Sequence, residues 1–393
     1  MVKSRGEDAV CARAPPAGRS GLPHTRLSFL ALRADAREHE LATQRGVARR
    51  LAALLGCSFE DHAGAAVPAA GLGYVVPNDT LTSIDFALGL GIRDEDDLFG
   101  GVVPYPFMAT KTITHPLLSR AAAAPAGWCP AFAEQVHDVV LPGNSAFTLT
   151  DARSAALSLL PGGPVRIKLA EGIGGLGQWV ANDEAQVDAA LAVLDAATLA
   201  RHGLVVERQV VGVRTYSVGL LRVGAMRASY FGSQRNTRNR HGEEVYGGSP
   251  LTVVRGGFDA LERVAAGDAG VMSAITMART YHAAALACFT GMFASRCNYD
   301  VARGHDAHGR PLAGVLEQSW RIGGASGAEV AALEALHADP SLNVVRASTV
   351  EVHAEQAVVP AGATLYFSGI DEHVGPITKY AELHTDADPR TTG

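Results

Sequence analysis

The sequence has no uninterrupted apolar run that approaches the roughly 20 residues needed to cross a bilayer, which predicts a soluble protein without a membrane partner. It also has no excess of positive charge. Its formal net charge is −6 at pH 7, so the overall charge does not favour nucleic acid as a partner. Its five cysteines show no C-x-x-C spacing, and an odd number in a long chain argues against a disulfide framework. We therefore expect a cytoplasmic protein.

Several catalytic and targeting signals are missing as well. The absence of a G-x-S-x-G segment argues against a hydrolase of the nucleophile-elbow type. The 14 histidines show no H-x-H, H-E-x-x-H or Cys/His ligand spacing, which argues against a zinc site. Residues 1–26 are rich in Arg, Pro and Gly but lack the apolar stretch of a secretory signal. We expect them to be a disordered leader, or residues upstream of the true start.

The length of 393 residues leaves room for two or three lobes with a site between them. The apolar run RLSFLAL at residues 26–32 is typical of a strand, and the segment after it has apolar residues at helical spacing up to Gly56. A further short strand, GYVVP, follows at residues 73–77. These elements predict a small α/β lobe over residues 27–108 within a mixed α/β (α+β) protein.

Residues 165–183 read VRIKLAEGIGGLGQWVAND, in which GIGGLG matches the glycine fingerprint G-x-G-x-x-G. A dinucleotide site needs a helix that starts at the last glycine, but the strand-like QWVAND follows instead. A P-loop is excluded because Gln178 and Trp179 stand where Lys and Ser or Thr are required. A hairpin turn without a ligand and a flap over a nucleotide remain open.

Lys168 interrupts the apolar strand VRIKLA, where a charged amine is costly unless an anion pairs with it. A strand with this lysine, a glycine hairpin with accessible backbone N–H groups and a return strand would together form a flap over a polyphosphate. With these residues the sequence resembles the ATP-grasp superfamily. The glycines of the flap are Gly172, Gly174, Gly175 and Gly177.

The resemblance extends to residues on both sides of the flap. Lys111, in ATKTITHPLL, matches the first of the two lysines of the family. Glu207 ends the strand-like LVVE and matches the glutamate that lines the adenine pocket. The resemblance places the adenine edge against the backbone of Arg208, Gln209 and Val210.

The segments CNYDVARG and GVLEQSWRI are joined by a polar turn and predict a β-hairpin. The family carries an acidic metal ligand on one such strand and E-x-N-x-R on the other, which matches Asp300 and then Glu317, Ser319 and Arg321. Asp300 and Glu317 would supply an oxygen pair suited to Mg²⁺ or Mn²⁺, with Ser319 as a further ligand. Residues two apart on a strand share a face, so we expect Arg321 to project on the same side as Glu317.

Two positions depart from the family pattern. Ser319 stands where Asn is usual, so a shorter and weaker donor replaces one metal ligand. Arg214 stands where many members carry a glutamate that holds the ribose, which puts that contact in doubt. The segments LEQSWRIGGASGAEV and DDLFGGVVPYPFMATKTITHPL are more similar to an uncharacterised bacterial family of ATP-grasp type than to any named ligase.

The resemblance implies two lobes that clasp the nucleotide, one at residues 109–206 with the flap and one at residues 207–385 with the metal site, before a disordered tail at 386–393. Lys111 and Lys168 would neutralise phosphates, and Lys168 and Arg321 would be the catalytic cations. ATP and Mg²⁺ would serve a ligase that activates a small-molecule carboxylate as an acyl phosphate for attack by an amine or thiol. A small-molecule kinase, an ATP-binding regulatory protein and, more distantly, a dinucleotide oxidoreductase remain open, as does a homodimer.

Overall fold

The computed structural model describes residues 24–33, 35–63, 71–170 and 177–384. Of the expected leader, residues 1–23 lie outside this part, and so does the expected tail at 386–393. Within it the strands are β1 (Arg26–Ala31), β2 (Ser58–Ala63), β3 (Tyr74–Pro77), β4 (Gly101–Val102), β5 (Gly143–Ala146), β6 (Val165–Leu169), β7 (Gln178–Ala181), β8 (Leu204–Arg208), β9 (Val211–Val223), β10 (Met226–Ser233), β11 (Arg235–Arg238), β12 (Glu244–Arg255), β13 (Phe293–Ala294), β14 (Arg296–His305), β15 (Pro311–Ser319), β16 (Val344–Val352), β17 (Thr364–Asp371) and β18 (Gly375–His384). The α-helices are α1 (Glu38–Leu55), α2 (Ile84–Gly89), α3 (Pro130–Val136), α4 (Leu149–Leu159), α5 (Glu184–Ala192), α6 (Ala196–His202), α7 (Phe258–Ala265), α8 (Ala269–Cys288) and α9 (Ser326–Ala338).

The first lobe is a parallel three-stranded sheet in the order β2-β1-β3, with α1 packed against it. The apolar residues of β1 that predicted a strand are buried, among them Leu27 and Phe29. Helix α1 ends at Gly56, whose φ of +68° is the left-handed conformation that closes a helix without a Cβ penalty. Both elements predicted from the sequence are therefore present.

The second lobe is a four-stranded sheet in the order β5-β8-β6-β7, in which all neighbouring strands are antiparallel. Alternate residues of β6, Val165 and Ile167, pack into a core with α4, α5 and α6. Arg166 and Lys168 alternate with these two residues along the strand and therefore lie on the other face of this sheet. The sheet ends at Arg208, two residues beyond the proposed lobe boundary at 206.

The third lobe is built on a nine-stranded antiparallel sheet in the order β15-β14-β9-β10-β12-β16-β18-β17, with β11 paired to β12. Helices α7 and α8 cover one face of this sheet, and α9 and the first lobe cover the other. The segment before the second lobe, with Phe107 and Phe132, packs into the core beside α8. The prediction of a multi-lobed mixed α/β fold is thus confirmed. No helix in the described residues combines the length and apolarity that a membrane span requires.

Candidate nucleotide and metal site

A buried ionic cluster lies on the second lobe. Lys168 on β6 is opposite Val205 of β8, so Glu207 is its diagonal neighbour on the same face. The Lys168 Nζ lies 2.5 Å from Glu207 Oε1, and His115 Nε2 lies 3.2 Å from Glu207 Oε2. All three side chains are buried. The amine that interrupts the apolar strand is thus paired with an anion.

The charges in this cluster stabilise one another. Burial alone would raise the pKa of the Glu207 carboxyl, but the Lys168 ammonium and the His115 hydrogen bond outweigh it and lower the pKa from 4.5 to about 2. Glu207 is therefore ionised at neutral pH and holds Lys168 in place.

This lowered pKa predicts an acid-sensitive contribution to stability. A proton binds Glu207 more readily in the unfolded chain, so the contribution is complete above about pH 4.5 and is lost as the pH falls towards 2. The shift corresponds to roughly 3 kcal/mol. We expect Glu207→Gln to be less stable than wild type at pH 6, because Lys168 loses its anion, and the difference to shrink below pH 4.5. Urea unfolding at several pH values measures this, and a difference that stays constant from pH 6 to 3 would contradict it.

The predicted hairpin over the glycine segment is formed by β6 and β7. Lys168 pairs with Gln178, and the Leu169 N–H donates to the Gly177 carbonyl at 2.9 Å. Gly177 has a φ of +66°, a conformation that glycine adopts without strain. Gly172, Gly174 and Gly175 lie outside the described residues. Because a strand follows Gly177, the segment lacks the helix that a dinucleotide loop requires.

The hinge expected to face adenine connects the second lobe to the third. The Arg208 N–H donates to the Pro142 carbonyl at 2.8 Å, and the Gln209 N–H donates to the Pro164 carbonyl at 3.0 Å. The Gln209 side-chain amide donates to the Val210 carbonyl at 2.8 Å. These groups are therefore already hydrogen-bonded, and an adenine ring at this hinge would have to replace them or use other backbone groups. The adenine contacts of these three residues stay a proposal.

The predicted metal hairpin is formed by β14 and β15, with Asp300 directly opposite Glu317. The Glu317 carboxylate is partly exposed, and its Oε2 lies 3.3 Å from the Lys111 Nζ. Asp300 Oδ1 accepts hydrogen bonds from Ser217 Oγ at 2.8 Å and Asn298 Nδ2 at 3.0 Å. The structure therefore brings Lys111 and both proposed metal ligands together.

The Glu317 carboxylate disfavours the charged form of Asp300. Burial and the neighbouring Glu317 raise the pKa of Asp300 to about 6, although three hydrogen-bond donors, among them Gln234, act in the opposite direction. Within the described residues no third His, Cys, Asp or Glu completes a cluster with them. Mg²⁺ usually takes one or two carboxylates and completes its shell with phosphate oxygens and water. The donor set of Asp300 and Glu317 fits that requirement.

Ser319 and Arg321 occupy less direct positions than the motif implies. Ser319 lies opposite Asn298, and its Oγ accepts a hydrogen bond from Arg296 Nη1 at 3.3 Å. Arg321 lies beyond the end of β15, and its Nε is 3.7 Å from Asp79 Oδ1 of the first lobe. Arg321 therefore contacts a charged residue of the first lobe, and its role at a phosphate stays a proposal.

One short segment connects the two halves of the site. Lys111 starts a 3-10 turn that ends at Ile113, and the residues from Lys111 to His115 lie between β8 and β15. Lys111 reaches Glu317 on β15, whereas His115 reaches Glu207 on β8. The Gln318 side chain fixes the start of this segment by donating to the Met108 and Thr110 carbonyls.

Some residues of the site have no motif of their own. His115, Ser217, Gln234, Asn298 and Arg296 each hold a predicted residue through a hydrogen bond or ion pair. Asn298 and Arg296 lie within four residues of Asp300, and His115 lies four residues after Lys111, so proximity in sequence was an available signal for these three. Ser217 and Gln234 come from distant parts of the chain.

Arg214, expected near the ribose, projects away from the metal hairpin. Ser217 bonds to Asp300, and β-strand residues alternate between faces, so Arg214 and Tyr216 lie on the opposite face of the nine-stranded sheet. The Arg214 guanidinium lies 5.1 Å from the centroid of the Tyr216 ring. This residue is therefore not placed for the contact that the family's glutamate makes.

The fold and this site define a multi-lobed α/β protein with two lysines and a carboxylate pair where its lobes meet. The chain belongs to the family described as "Protein of unknown function (DUF3182)", whose model matches residues 29–381. No curated protein matches the sequence.

Solved structures similar to the chain are ATP-grasp ligases. One is the N5-carboxyaminoimidazole ribonucleotide synthetase purK in complex with ADP, at 12% identity and a TM-score of 0.48, covering 92% of this chain and 93% of that one. Another is biotin carboxylase from Campylobacter jejuni in complex with an ATP analogue, at 12% identity and a TM-score of 0.46, covering 91% and 87%. At this identity and these TM-scores, we take the chemistry of the site from this chain's own residues.

Proposed function

We propose that this protein is an ATP- and Mg²⁺-dependent ligase that activates a small-molecule carboxylate for attack by an amine or thiol. The proposal rests on one observation: Lys111 contacts Glu317, which lies directly opposite Asp300. This group is one short turn away from the Lys168–Glu207 pair. Two cations and two carboxylates in this arrangement supply what a nucleoside triphosphate and its metal require. A cytoplasmic location belongs to the same proposal.

The lysines bind and orient the phosphates of ATP. Lys168 projects from the face of β6 opposite the lobe's apolar core, next to the glycine hairpin. Lys111 lies beside the carboxylate pair, with its Nζ 3.3 Å from Glu317 Oε2. Because phosphoryl transfer depends mainly on positioning and on neutralising charge, cations fixed by ion pairs before ATP arrives are well suited to it.

Asp300 and Glu317 would hold Mg²⁺, which when bound neutralises the phosphates and stabilises charge on the transferring phosphoryl group. Ser217, Asn298 and Gln234 fix the Asp300 carboxylate by hydrogen bonds. These neighbours keep its oxygens in one orientation, as residues around a metal ligand commonly do.

The proposed reaction has two steps. A carboxylate oxygen of the substrate forms a bond to the γ-phosphorus as the bond to the β-phosphate oxygen breaks, giving an acyl phosphate and ADP. The lone pair of an amine or thiol then attacks the acyl carbon, and inorganic phosphate leaves. Arg321 would stabilise the charge on the transferring phosphoryl group, and to do so its side chain would have to exchange Asp79 for the phosphate.

A cleft among the three lobes offers space for the substrates. It has a volume of about 850 Å³ and is lined by Arg33 and Arg37 of the first lobe, Gly177 of the hairpin and Tyr246 of the third lobe. Tyr246 also lies against Gly324, where an added Cβ would be 3.0 Å from the tyrosine ring. Because Gly324 follows Arg321 closely in the chain, the cleft adjoins the end of the metal hairpin. Carboxylates also line the cleft, among them Asp35, which pairs with Arg33.

We expect Mg-ATP to raise the melting temperature of the wild-type protein and Lys168→Ala to abolish this shift, since the variant removes a phosphate-binding cation. Lys379→Ala is a matched control, because Lys379 is also a buried lysine paired with a glutamate, Glu351, at 2.8 Å. Both variants should lower the melting temperature without ATP, but only Lys379→Ala should keep the shift. An unchanged shift in Lys168→Ala would overturn the site assignment.

Incubation with Mg-ATP and pools of carboxylates and amines or thiols tests the reaction itself. A ligase yields ADP, phosphate and a condensed product, whereas a kinase yields ADP and a phosphorylated product. ATP-dependent stabilisation without product would favour the second candidate, a nucleotide-binding regulatory protein. That candidate is supported by Ser319 and Arg321, whose side chains already contact Arg296 and Asp79.

A further inference from the structure

A second pocket lies on the face of the nine-stranded sheet opposite the metal hairpin. It has a volume of about 190 Å³ and is lined by Arg214 of β9, Arg235 of β11 and Arg346 of β16, together with the start of α8. Ser217 of β9, whose hydroxyl donates to Asp300, projects from the other face of that strand. The sheet itself therefore separates this arginine pocket from the Asp300 carboxylate of the metal hairpin.

The arginine pocket concentrates positive charge, because three arginines line it against a single carboxylate, that of Asp268. Among the described residues no carboxylate forms an ion pair with Arg214, Arg235 or Arg346. Arg303 of β14 pairs directly with Arg214 across the strands, and like charges in that position destabilise a sheet. Asp268 also lines the pocket, but its carboxylate accepts the N–H groups of Gly270 and Val271 at the start of α8.

The rest of the lining is partly apolar, with Phe231, Leu251 and Val271, and partly polar. Tyr216, Ser233 and Thr252 bring hydroxyl groups to the same pocket. The volume corresponds to about six water molecules in the liquid, which limits the occupant to a small molecule. Guanidinium groups match the geometry of phosphate and carboxylate oxygens and can donate two hydrogen bonds to each.

We propose that the arginine pocket binds a small polyanion with two or more phosphate or carboxylate groups, at a site distinct from that of the nucleotide. Such a ligand would offset the repulsion between the paired Arg214 and Arg303 and among the arginines of the pocket. It would contact β9, which carries Ser217 on its other face, and the Ser217 hydroxyl donates to Asp300. Strand β9 thus connects the arginine pocket to the metal hairpin.

Isothermal titration calorimetry of the full chain with pyrophosphate and with citrate, without divalent cations, tests this proposal. We expect at least one of the two to bind, and Arg346→Gln and Arg235→Gln each to weaken that binding by about tenfold or more. Binding of pyrophosphate alone would identify a phosphorylated ligand, and binding of citrate alone a polycarboxylate. Melting temperatures of both variants should match wild type, because these exposed side chains form no ion pair within the described part of the chain.

Two controls separate this site from the others. Arg263→Gln removes an exposed arginine from α7, outside the pocket, and should leave the binding unchanged. Lys111→Gln alters the proposed nucleotide site and should also leave it unchanged. The proposal is overturned if neither probe binds, if the pocket variants bind as tightly as Arg263→Gln, or if Lys111→Gln alone loses binding. The last result would assign the anion to the nucleotide site.

Discussion

Glu317→Gln is expected to lower the rate of ATP-dependent turnover by about 100-fold or more while leaving metal-free nucleotide binding within a few-fold of wild type. The amide is as large as the carboxylate but carries no charge, so it cannot share a divalent cation with Asp300. Glu317 is partly exposed but pairs with the buried Lys111, so the substitution should also lower stability, and turnover is measured well below the melting temperature of the variant. The measurements are the rate of ADP release with Mg²⁺ and the binding of Mn²⁺ to the ATP complex by electron paramagnetic resonance.

Glu382→Gln is the matched control for this prediction. Glu382 lies on β18, five strands away from β14 in the same sheet, and has no part in the proposed site. It should retain wild-type turnover and Mn²⁺ binding. If Glu317→Gln binds Mn²⁺ as tightly as Glu382→Gln and turns over as fast, Asp300 and Glu317 are not the metal ligands.

The pairing of Asp300 with Glu317 was predictable because both segments carry strand patterns and a short polar turn joins them. A hairpin of that kind brings residues of its two strands side by side. The hairpin at the glycine segment was predictable for a similar reason, since strand-like residues on both sides of the glycines excluded a helix. In both cases the information lies within about 25 residues of sequence, where local pattern determines structure.

Contacts between distant segments were not predictable in this way. His115 reaches Glu207, and Asp79 of the first lobe reaches Arg321, but no feature of either local sequence indicates the partner. A histidine or aspartate that will be buried in an ion pair looks the same in sequence as one that will be solvated. The order of the nine strands depends on which apolar faces the helices cover, and that is a property of the whole chain.

The buried pair of Arg296 and Glu329 is the clearest such case. The two residues lie in RCNYD and SGAEVAAL, and nothing in either segment indicates that they pair with each other. In the fold the Arg296 Nη2 donates to Glu329 Oε1 at 2.6 Å, and both side chains are almost fully buried. Arg296 Nη1 also donates to the Arg321 carbonyl at 2.7 Å. The pair therefore fixes the chain just beyond the metal hairpin as well as the core.

Arg296→Met is accordingly expected to lower the free energy of unfolding by about 3–5 kcal/mol, because it leaves Glu329 buried without its cation. Tyr230, whose hydroxyl donates to Glu329 at 2.8 Å, supplies only a neutral partner. Urea unfolding measures the loss, with Arg279→Met as the control. Arg279 pairs with Asp259 and Glu262 on the surface, where such a pair contributes about 1 kcal/mol or less.

The double variant Arg296→Met/Glu329→Leu separates the cost of a buried charge from a loss of packing. If the unpaired carboxylate causes the instability, replacing it with an apolar side chain should recover most of the lost stability. The reason is that a buried ion pair rarely contributes more to the free energy of unfolding than well-packed apolar residues of similar volume. The double variant still lacks the hydrogen bond to the Arg321 carbonyl. A stable double variant with reduced turnover would therefore assign Arg296 a positioning role, whereas stability and turnover restored together would limit it to the core.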